Sequence, residues 1–300
     1  MIKSYEELVQ RVKGNKQKKR VAVAAAHDLH TLEGINNAYI NDVILPILIG
    51  DEKQIKKIIK EEGFALNGVE IINEEDPIQA AKKTVELIRK GKADILMKGK
   101  LQTFELMREV VNQDYGLSTG SIMSHVGLFQ IPAFHKLVVL TDGGMIIAPD
   151  LKQKKMIVDN AVEVMRKMGY EDPKVAILCA TEVENPKIQA SVDAAKLKKW
   201  NKEGVLKGCT VEGPISFDLM FDKESAMIKG YESPVAGEAD IWVLPDMTAG
   251  NLVAKSLMCA AKAQMAGVIV GASVPIVVVS RGATSEEKYF SLIFAAAIAR

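Results

Sequence analysis

"VEIINEEDPIQAAKKTVELIRKGKADILMKG", residues 69–99, reads as a strand, a helix and a second strand in succession. Residues 69–73 form a short apolar run closed by charged residues. Asp76 followed by Pro77 sets an N-cap residue before a proline at the first helical position, and Gly91 stands where a helix ends on a left-handed residue. Residues 94–99 then bring three consecutive apolar side chains, Ile95 to Met97, as expected of a strand covered on both faces.

The same alternation predicts further strands at 20–26, 44–50, 136–142, 174–180, 240–246, 267–271 and 275–280. Asn185-Pro186 repeats the proline device before residues 187–200, and Ser4 with Glu7 reads as a capping box. Repeated βαβ units imply an α/β fold of mostly parallel sheets with helices on both faces, and a ligand near the carboxyl ends of the strands. Residues 112–134 are rich in Gly, Ser and Thr and lose helical periodicity, which marks a domain junction.

The 300 residues are 48% hydrophobic and 26% charged, with a formal net charge of +1. That balance offers no general attraction to nucleic acid or to an acidic membrane, so a phosphate-bearing ligand must be met by a local site. Three scattered cysteines, Cys179, Cys209 and Cys259, fit neither a disulfide scaffold nor a structural zinc site, and suit a reducing cytoplasm. The opening residues lack the apolar core of a signal peptide. Residues 268–279 are broken by Gly271, Ser273 and Pro275 and are too short to span a bilayer, so no membrane role is expected.

No phosphate-binding GxxxxGK[ST] loop, no GxGxxG turn and no HExxH pair occurs. The four histidines, His27, His30, His125 and His135, lack metal-ligand spacing, and no metal site is expected.

Polar residues gather instead where strands end. Lys98, Gly99, Lys100 and Thr103 follow one strand; Thr141, Asp142, Gly143 and Gly144 follow another. Asp246, Thr248, Gly250, Asn251 and Lys255 follow a third, and Ser280, Arg281, Glu286 and Glu287 a fourth. Cations beside glycines, hydroxyls and helix N-termini suit a phosphate or an oxyanion. Thr284 and Glu287 also have capping-box spacing, and Glu286 complements the dipole of the helix it opens.

Read together, "SRGATSEEK" (280–288), "PDMTAGNLVAK" (245–255), "EGPISFDLM" (212–220), "LTDGGMIIAPDLKQK" (140–154) and "ADILMKGKLQT" (93–103) resemble the phosphate acetyl/butyryltransferase family. "STGSIMSHVGLF" (118–129) and "VAILCATEVENPK" (175–187) bring the resemblance closest to the butyryltransferase branch. It runs from end to end with the motifs in order.

The resemblance implies the reaction acyl-CoA + phosphate ⇌ acyl phosphate + CoA, with butyryl-CoA favoured and coenzyme A as substrate or product rather than a tightly bound cofactor. It implies a homodimer whose two-domain fold is like that of isocitrate and isopropylmalate dehydrogenases. The domains expected are 1–119 plus 272–300, and 120–271, with the active site in the cleft between them. It makes Ser280 and Arg281 the pair at the phosphate and acyl site. It puts Glu287, with Glu286 beside it, where the acetyltransferases carry the base for the CoA thiol. The expected substrate-binding set is Lys98, Gly99, Thr103, Gly120, Thr141, Asp142, Gly250, Asn251 and Lys255.

Two departures from the family pattern stand out: Ala283 and Thr284 fill the place of an aspartate common in the butyryltransferases, and Ile146 replaces an asparagine. Met145, Ile146 and Ile147 are unusually apolar for a loop facing a site and are expected either to line a four-carbon acyl pocket or to be core. Two alternatives stay open: a phosphate acetyltransferase, and a catalytically idle acyl-CoA-binding homologue. A metal-dependent decarboxylating dehydrogenase would need an aspartate cluster and a nucleotide loop that the sequence lacks.

Overall fold

The computed structural model describes residues 1–14, 17–279 and 282–300. Chain order begins α1 (Tyr5–Lys13), β1 (Lys19–Ala24), α2 (Leu29–Ile40), β2 (Ile44–Gly50), α3 (Glu52–Glu61), β3 (Glu70–Asn73) and α4 (Pro77–Arg89). It continues with β4 (Ile95–Lys98), α5 (Thr103–Val110), β5 (Ser124–Gln130), β6 (Val138–Thr141), α6 (Leu151–Lys167), β7 (Lys174–Leu178) and α7 (Gln189–Lys202). Next come β8 (Thr210–Ile215), α8 (Phe217–Phe221), α9 (Lys223–Ile228), β9 (Ile241–Val243) and α10 (Met247–Cys259). The chain closes with β10 (Gln264–Val270), β11 (Ile276–Val277) and α11 (Ser285–Ile298).

Two compact units emerge: Tyr5–Ser121 with Met265–Arg300, and Met1–Ser4 with Ile122–Gln264. The expected boundaries lay at 119/120 and 271/272.

In the first unit the strands stand in the order β3-β2-β1-β4-β11-β10, parallel except for the antiparallel pair β10 and β11. β1 leads through α2 to β2 and on through α3 to β3. The chain then doubles back through α4 to β4 on the other side of β1. Right-handed crossovers put helices of the outward and return journeys on opposite faces. Accordingly α2 packs with α3 and α11, and α4 packs with α5. β1 and β4 are therefore neighbours whose chains leave toward opposite faces, the place where an open α/β sheet leaves a crevice at its carboxyl edge.

Helix α11 is apolar nearly all round, and Phe290, Leu292, Ile293, Phe294 and Ala295 are buried. Tyr5 stacks on Phe290 at 4.2 Å between ring centroids, 9° from parallel, which ties α1 to α11. Such a pair contributes about 1 kcal/mol beyond its buried area.

The second unit has the order β5-β6-β9-β7-β8, with β5 antiparallel to β6 and the other pairs parallel. β6 leads into α6 toward β7, whereas β9 leads into α10, which turns back over β6. A second crevice of the same kind thus opens between β6 and β9. Trp242 is fully buried here, edge-on to Phe134 and Phe217.

All nine expected strands are present. Two further strands were not expected. β5 lies within residues 112–134, read as a junction without regular structure. β8 carries Gly213 and Pro214, residues that argue against a central strand; it lies at the edge of its sheet, where a proline is tolerated. Helix α7 also begins later than expected: Asn185 Oδ1 accepts from Lys187 N at 3.0 Å in a turn, and the helix starts at Gln189.

Candidate functional site

In the first unit β4 runs directly along the end of β1. Gly99 N donates to Ala24 O and Lys100 N to Ala25 O, both at 2.8 Å. A Cβ on Gly99 would stand 2.3 Å from Ala25 O, so only glycine allows this approach. Ala25 itself takes a left-handed φ of 54°, turning the chain out of β1 toward Asp28. Asp28 caps α2: its Oδ2 accepts from Thr31 N at 2.9 Å and from Thr31 Oγ1 at 2.5 Å. Burial pushes the Asp28 carboxyl up, but the bonds from Thr31 and the charge of Lys288 prevail and hold it below the usual carboxylate range.

Between these two turns lies a pocket of about 330 Å³. Asp28 and Thr31 line it from the start of α2, residues 98–102 from the end of β4 and the loop after it, and Val279 and Lys288 from either side of the start of α11. Lys98 is buried and its Nζ donates to the carbonyls of Leu101 at 3.0 Å and Gly99 at 3.3 Å, fixing the loop that forms the floor. Lys288 is buried in the wall, and its Nζ lies 3.7 Å from Asp28 Oδ2. Among the described residues the lining carries the lysines Lys98, Lys100 and Lys288 and the carboxylate Asp28, a cationic lining that suits a phosphate. His27, beside the same turn, is held below the usual imidazole range by burial and by Lys100, so it adds no charge at neutral pH.

In the second unit the loop after β6 and the start of α10 meet. A Cβ on Gly143 would stand 3.0 Å from the Gly250 carbonyl carbon, and one on Gly250 would stand 2.7 Å from Asp142 O. Asp142 is buried and accepts from Gly144 N at 2.8 Å, Met145 N at 2.9 Å and Ile146 N at 3.2 Å, so its carboxylate organises the loop. Thr141 Oγ1 donates to His125 O at 2.8 Å. His125 Nδ1 is buried without a hydrogen-bond partner among the described residues, and burial lowers this imidazole despite the nearby Asp142. Asp246 Oδ1 caps α10 by accepting from Ala249 N at 2.9 Å. Asn251 and Lys255 are exposed one turn apart on that helix.

A larger groove of about 820 Å³ adjoins this rim, between α6, α7 and Pro245-Asp246. Its Lys154, Lys196 and Lys199 face Asp150, Glu184, Asp193 and Asp246, and Lys154 is already spent on Asp193 at 2.7 Å. With no positive excess it is a poorer phosphate site than the smaller pocket.

Lys98 and Gly99 therefore line the pocket of the first unit. Thr103 is the exposed first residue of α5, and Gly120 sits on a separate turn with φ 84°; neither lines the pocket. Residues 116–120 spell G-x-S-x-G, but no strand leads into Ser118 and no helix follows it, so the geometry of a nucleophile elbow is not met. Thr141, Asp142, Gly250 and Asn251 gather on the rim of the second unit. Glu287 closes the capping box of α11: its Oε2 accepts from Thr284 N at 2.8 Å, and Glu287 N donates to Thr284 Oγ1 at 3.1 Å. Glu286 is exposed in the same turn. Ser280 and Arg281 lie outside the described residues. Asp28, Thr31 and Lys288 were missed by sequence reasoning; the one lysine of α11, four residues after a cap threonine and leading into an apolar run, was the available signal.

A cationic pocket at the carboxyl ends of neighbouring strands in an α/β chain suits a small anionic substrate. The model of the phosphate acetyl/butaryl transferase family matches residues 4–84 and 76–296, and the chain belongs to that family. It is 42% identical to a phosphate butyryltransferase of Clostridium acetobutylicum over 299 residues, covering 100% of this chain and 99% of that one. It is 41% identical to a phosphate acetyltransferase of Thermotoga maritima over 98% of this chain and 99% of that one. Among solved structures it resembles a branched-chain phosphotransacylase from Enterococcus faecalis V583, with a TM-score of 0.83 and 34% identity over 93% of this chain and 98% of that one.

Proposed function

We propose that the protein transfers a short-chain acyl group between coenzyme A and inorganic phosphate, with butyryl-CoA as the favoured donor. The observation that carries this reading is the cationic lining of the pocket at the carboxyl ends of β1 and β4. The full-length likeness to phosphate butyryl- and acetyltransferases supports it.

In the direction of CoA acylation, a carboxylate takes the thiol proton and the thiolate attacks the acyl phosphate carbonyl. The C–S bond forms and the C–O bond to the phosphoryl group breaks; the departing phosphate takes up the proton held by the carboxylate, leaves as its dianion and so restores the base. A thiol with a reference pKa of about 8.5 is mostly protonated at neutral pH, so a base raises the reactive fraction. Arg281 holds the phosphoryl oxygens in its planar fork and Ser280 donates to the developing oxyanion, roles supported by the family motif. Glu287 is the base: its cap bond engages Oε2 and orients the carboxylate, leaving Oε1 for the thiol. The family resemblance supports a substrate-binding role for Thr141, Asp142, Gly250, Asn251 and Lys255. No step requires a covalent enzyme intermediate or a metal.

Met145 and Ile146 are half-buried and Ile147 is 70% exposed, apolar residues at the site rim that support a four-carbon acyl preference. The family resemblance supports a fold like that of isocitrate and isopropylmalate dehydrogenases. Helix α10 supports a homodimer, since Leu252 is 62% exposed and Gly250 is its one buried residue. The three cysteines are free thiols, which supports a reducing cytoplasm. No helix among the described residues is long and apolar enough to cross a membrane.

The test is thiol release from butyryl-CoA and acetyl-CoA, each with and without phosphate. Release that needs phosphate and has the higher kcat/KM with butyryl-CoA supports the reading; a preference for acetyl-CoA assigns the acetyltransferase instead.

A further inference from the structure

We infer that Lys288 is a phosphate-binding residue of the transfer reaction, its ammonium held in reserve beside Asp28 until phosphate or the phosphoryl end of an acyl phosphate enters the pocket. This rests on the acyltransferase reading.

Lys288 is 5% exposed and stands in the first turns of α11. Two unfavourable terms meet there. A cation near a helix N-terminus opposes the helix dipole, and a buried ammonium loses hydration that hydrogen bonds must replace. Glu286 and Glu287 in the same turn offset the first, and the second is met only in part. Among the described residues the ionic neighbour of Lys288 is Asp28 Oδ2 at 3.7 Å, beyond a direct hydrogen bond. That same oxygen already accepts twice from Thr31. An ammonium has three protons to donate, and here they face a pocket.

The position of Lys288 is set by close packing. α2 and α11 cross at Gly34, where a Cβ would lie 2.9 Å from Lys288 Cβ and 3.2 Å from Ser285 O. The stem is thus clamped while the ammonium reaches the pocket that Lys98 floors and Lys100 edges. The ligand that satisfies this group is a compact dianion with several acceptor oxygens, which describes phosphate better than a carboxylate.

A purely structural role is the rival: Lys288 and Asp28 would simply join α11 to the start of α2. The variants K288M, K288R and D28N separate the two. Asparagine still caps a helix, so D28N removes the carboxylate charge and keeps α2 anchored. Initial rates are measured against phosphate at saturating butyryl-CoA and the reverse, and thermal melts are run with and without inorganic phosphate.

K288M is expected to raise the KM for phosphate by roughly tenfold or more, the usual effect of losing a charged hydrogen bond. Its KM for butyryl-CoA should stay within about twofold, and its melt should no longer rise with phosphate. K288R should recover part of the phosphate affinity, and D28N, which removes the carboxylate from the pocket lining, should tighten it. The assignment is overturned if K288M keeps a wild-type KM for phosphate, if D28N weakens phosphate as much as K288M does, or if phosphate leaves the wild-type melt unmoved. Should K288M not fold, K288R and D28N still decide between the roles. A wild type that releases no thiol but is stabilised by phosphate, with K288M losing that effect, rejects the acyltransferase reading and keeps the phosphate site.

Discussion

Gly99 presses on the backbone of Ala25, with room for no side-chain atom between them. The contact brings the ends of β1 and β4 together and so gives the cationic pocket its depth. G99A forces a methyl group against a carbonyl oxygen that two strands hold in place. Overpacking of this kind costs about 1–3 kcal/mol. Urea denaturation should show that loss, with a rise in the KM for phosphate; unchanged stability would mean that the loop yields freely.

Glu287 is both a helix cap and the proposed base, and one substitution separates the two. Glutamine serves a capping box as well as glutamate does, so E287Q should melt near the wild-type temperature. Without a base it should lose roughly a hundredfold in kcat, the scale of general base catalysis. E286Q should remain near wild-type activity. If E287Q turns over normally and E286Q does not, the roles are reversed.

Arg281→Ala should lower kcat by roughly a hundredfold or more while the melt is unchanged, since the lost contact acts in the transition state. Arg281→Lys should recover little of this, because an ammonium lacks the planar fork.

Stability should begin to fall below about pH 6.5, where unfolded imidazoles take up protons that buried His27 and His125 resist, and fall further from about pH 4 downward as carboxylates titrate. Burial raises the Asp94 carboxyl, but bonds from Arg20 Nε and its second guanidinium nitrogen outweigh this and hold it low. Asp28 is held low by Thr31 against its burial, and Asp218 is brought to about 2 by Lys229 and Ser216. A depressed carboxyl stabilises the fold above its unfolded pKa. As pH falls, the unfolded chain takes up protons first, and the advantage is gone once the folded carboxyl is protonated too. D94N should melt lower at pH 7 and lose less between pH 5 and pH 3, measured by thermal melts across that range.

The alternation of apolar runs with capped helices made the α/β class and nine strands legible, because caps such as Asp76-Pro77 act locally. What depended on neighbours was harder to read. Gly213-Pro214 hid β8, whose edge position permits them, and a Gly-, Ser- and Thr-rich approach hid β5. Four polar strand ends stood out in the sequence; which carboxyl ends lie side by side is a property of strand order. Lys98 and Gly99 could be seen as a pair of interest. Asp28 could not, since its strand is far from theirs in sequence, nor could Lys288, which follows two glutamates at the start of a greasy helix and looks like their solvated counter-charge.

Phosphorus NMR of butyryl-CoA mixed with inorganic phosphate and the purified protein tests the central claim most directly. The account predicts an acyl phosphate resonance that grows in step with free thiol while the phosphate signal falls by the same amount. Thiol released with no acyl phosphate formed would indicate hydrolysis and contradict it, as would no release at all.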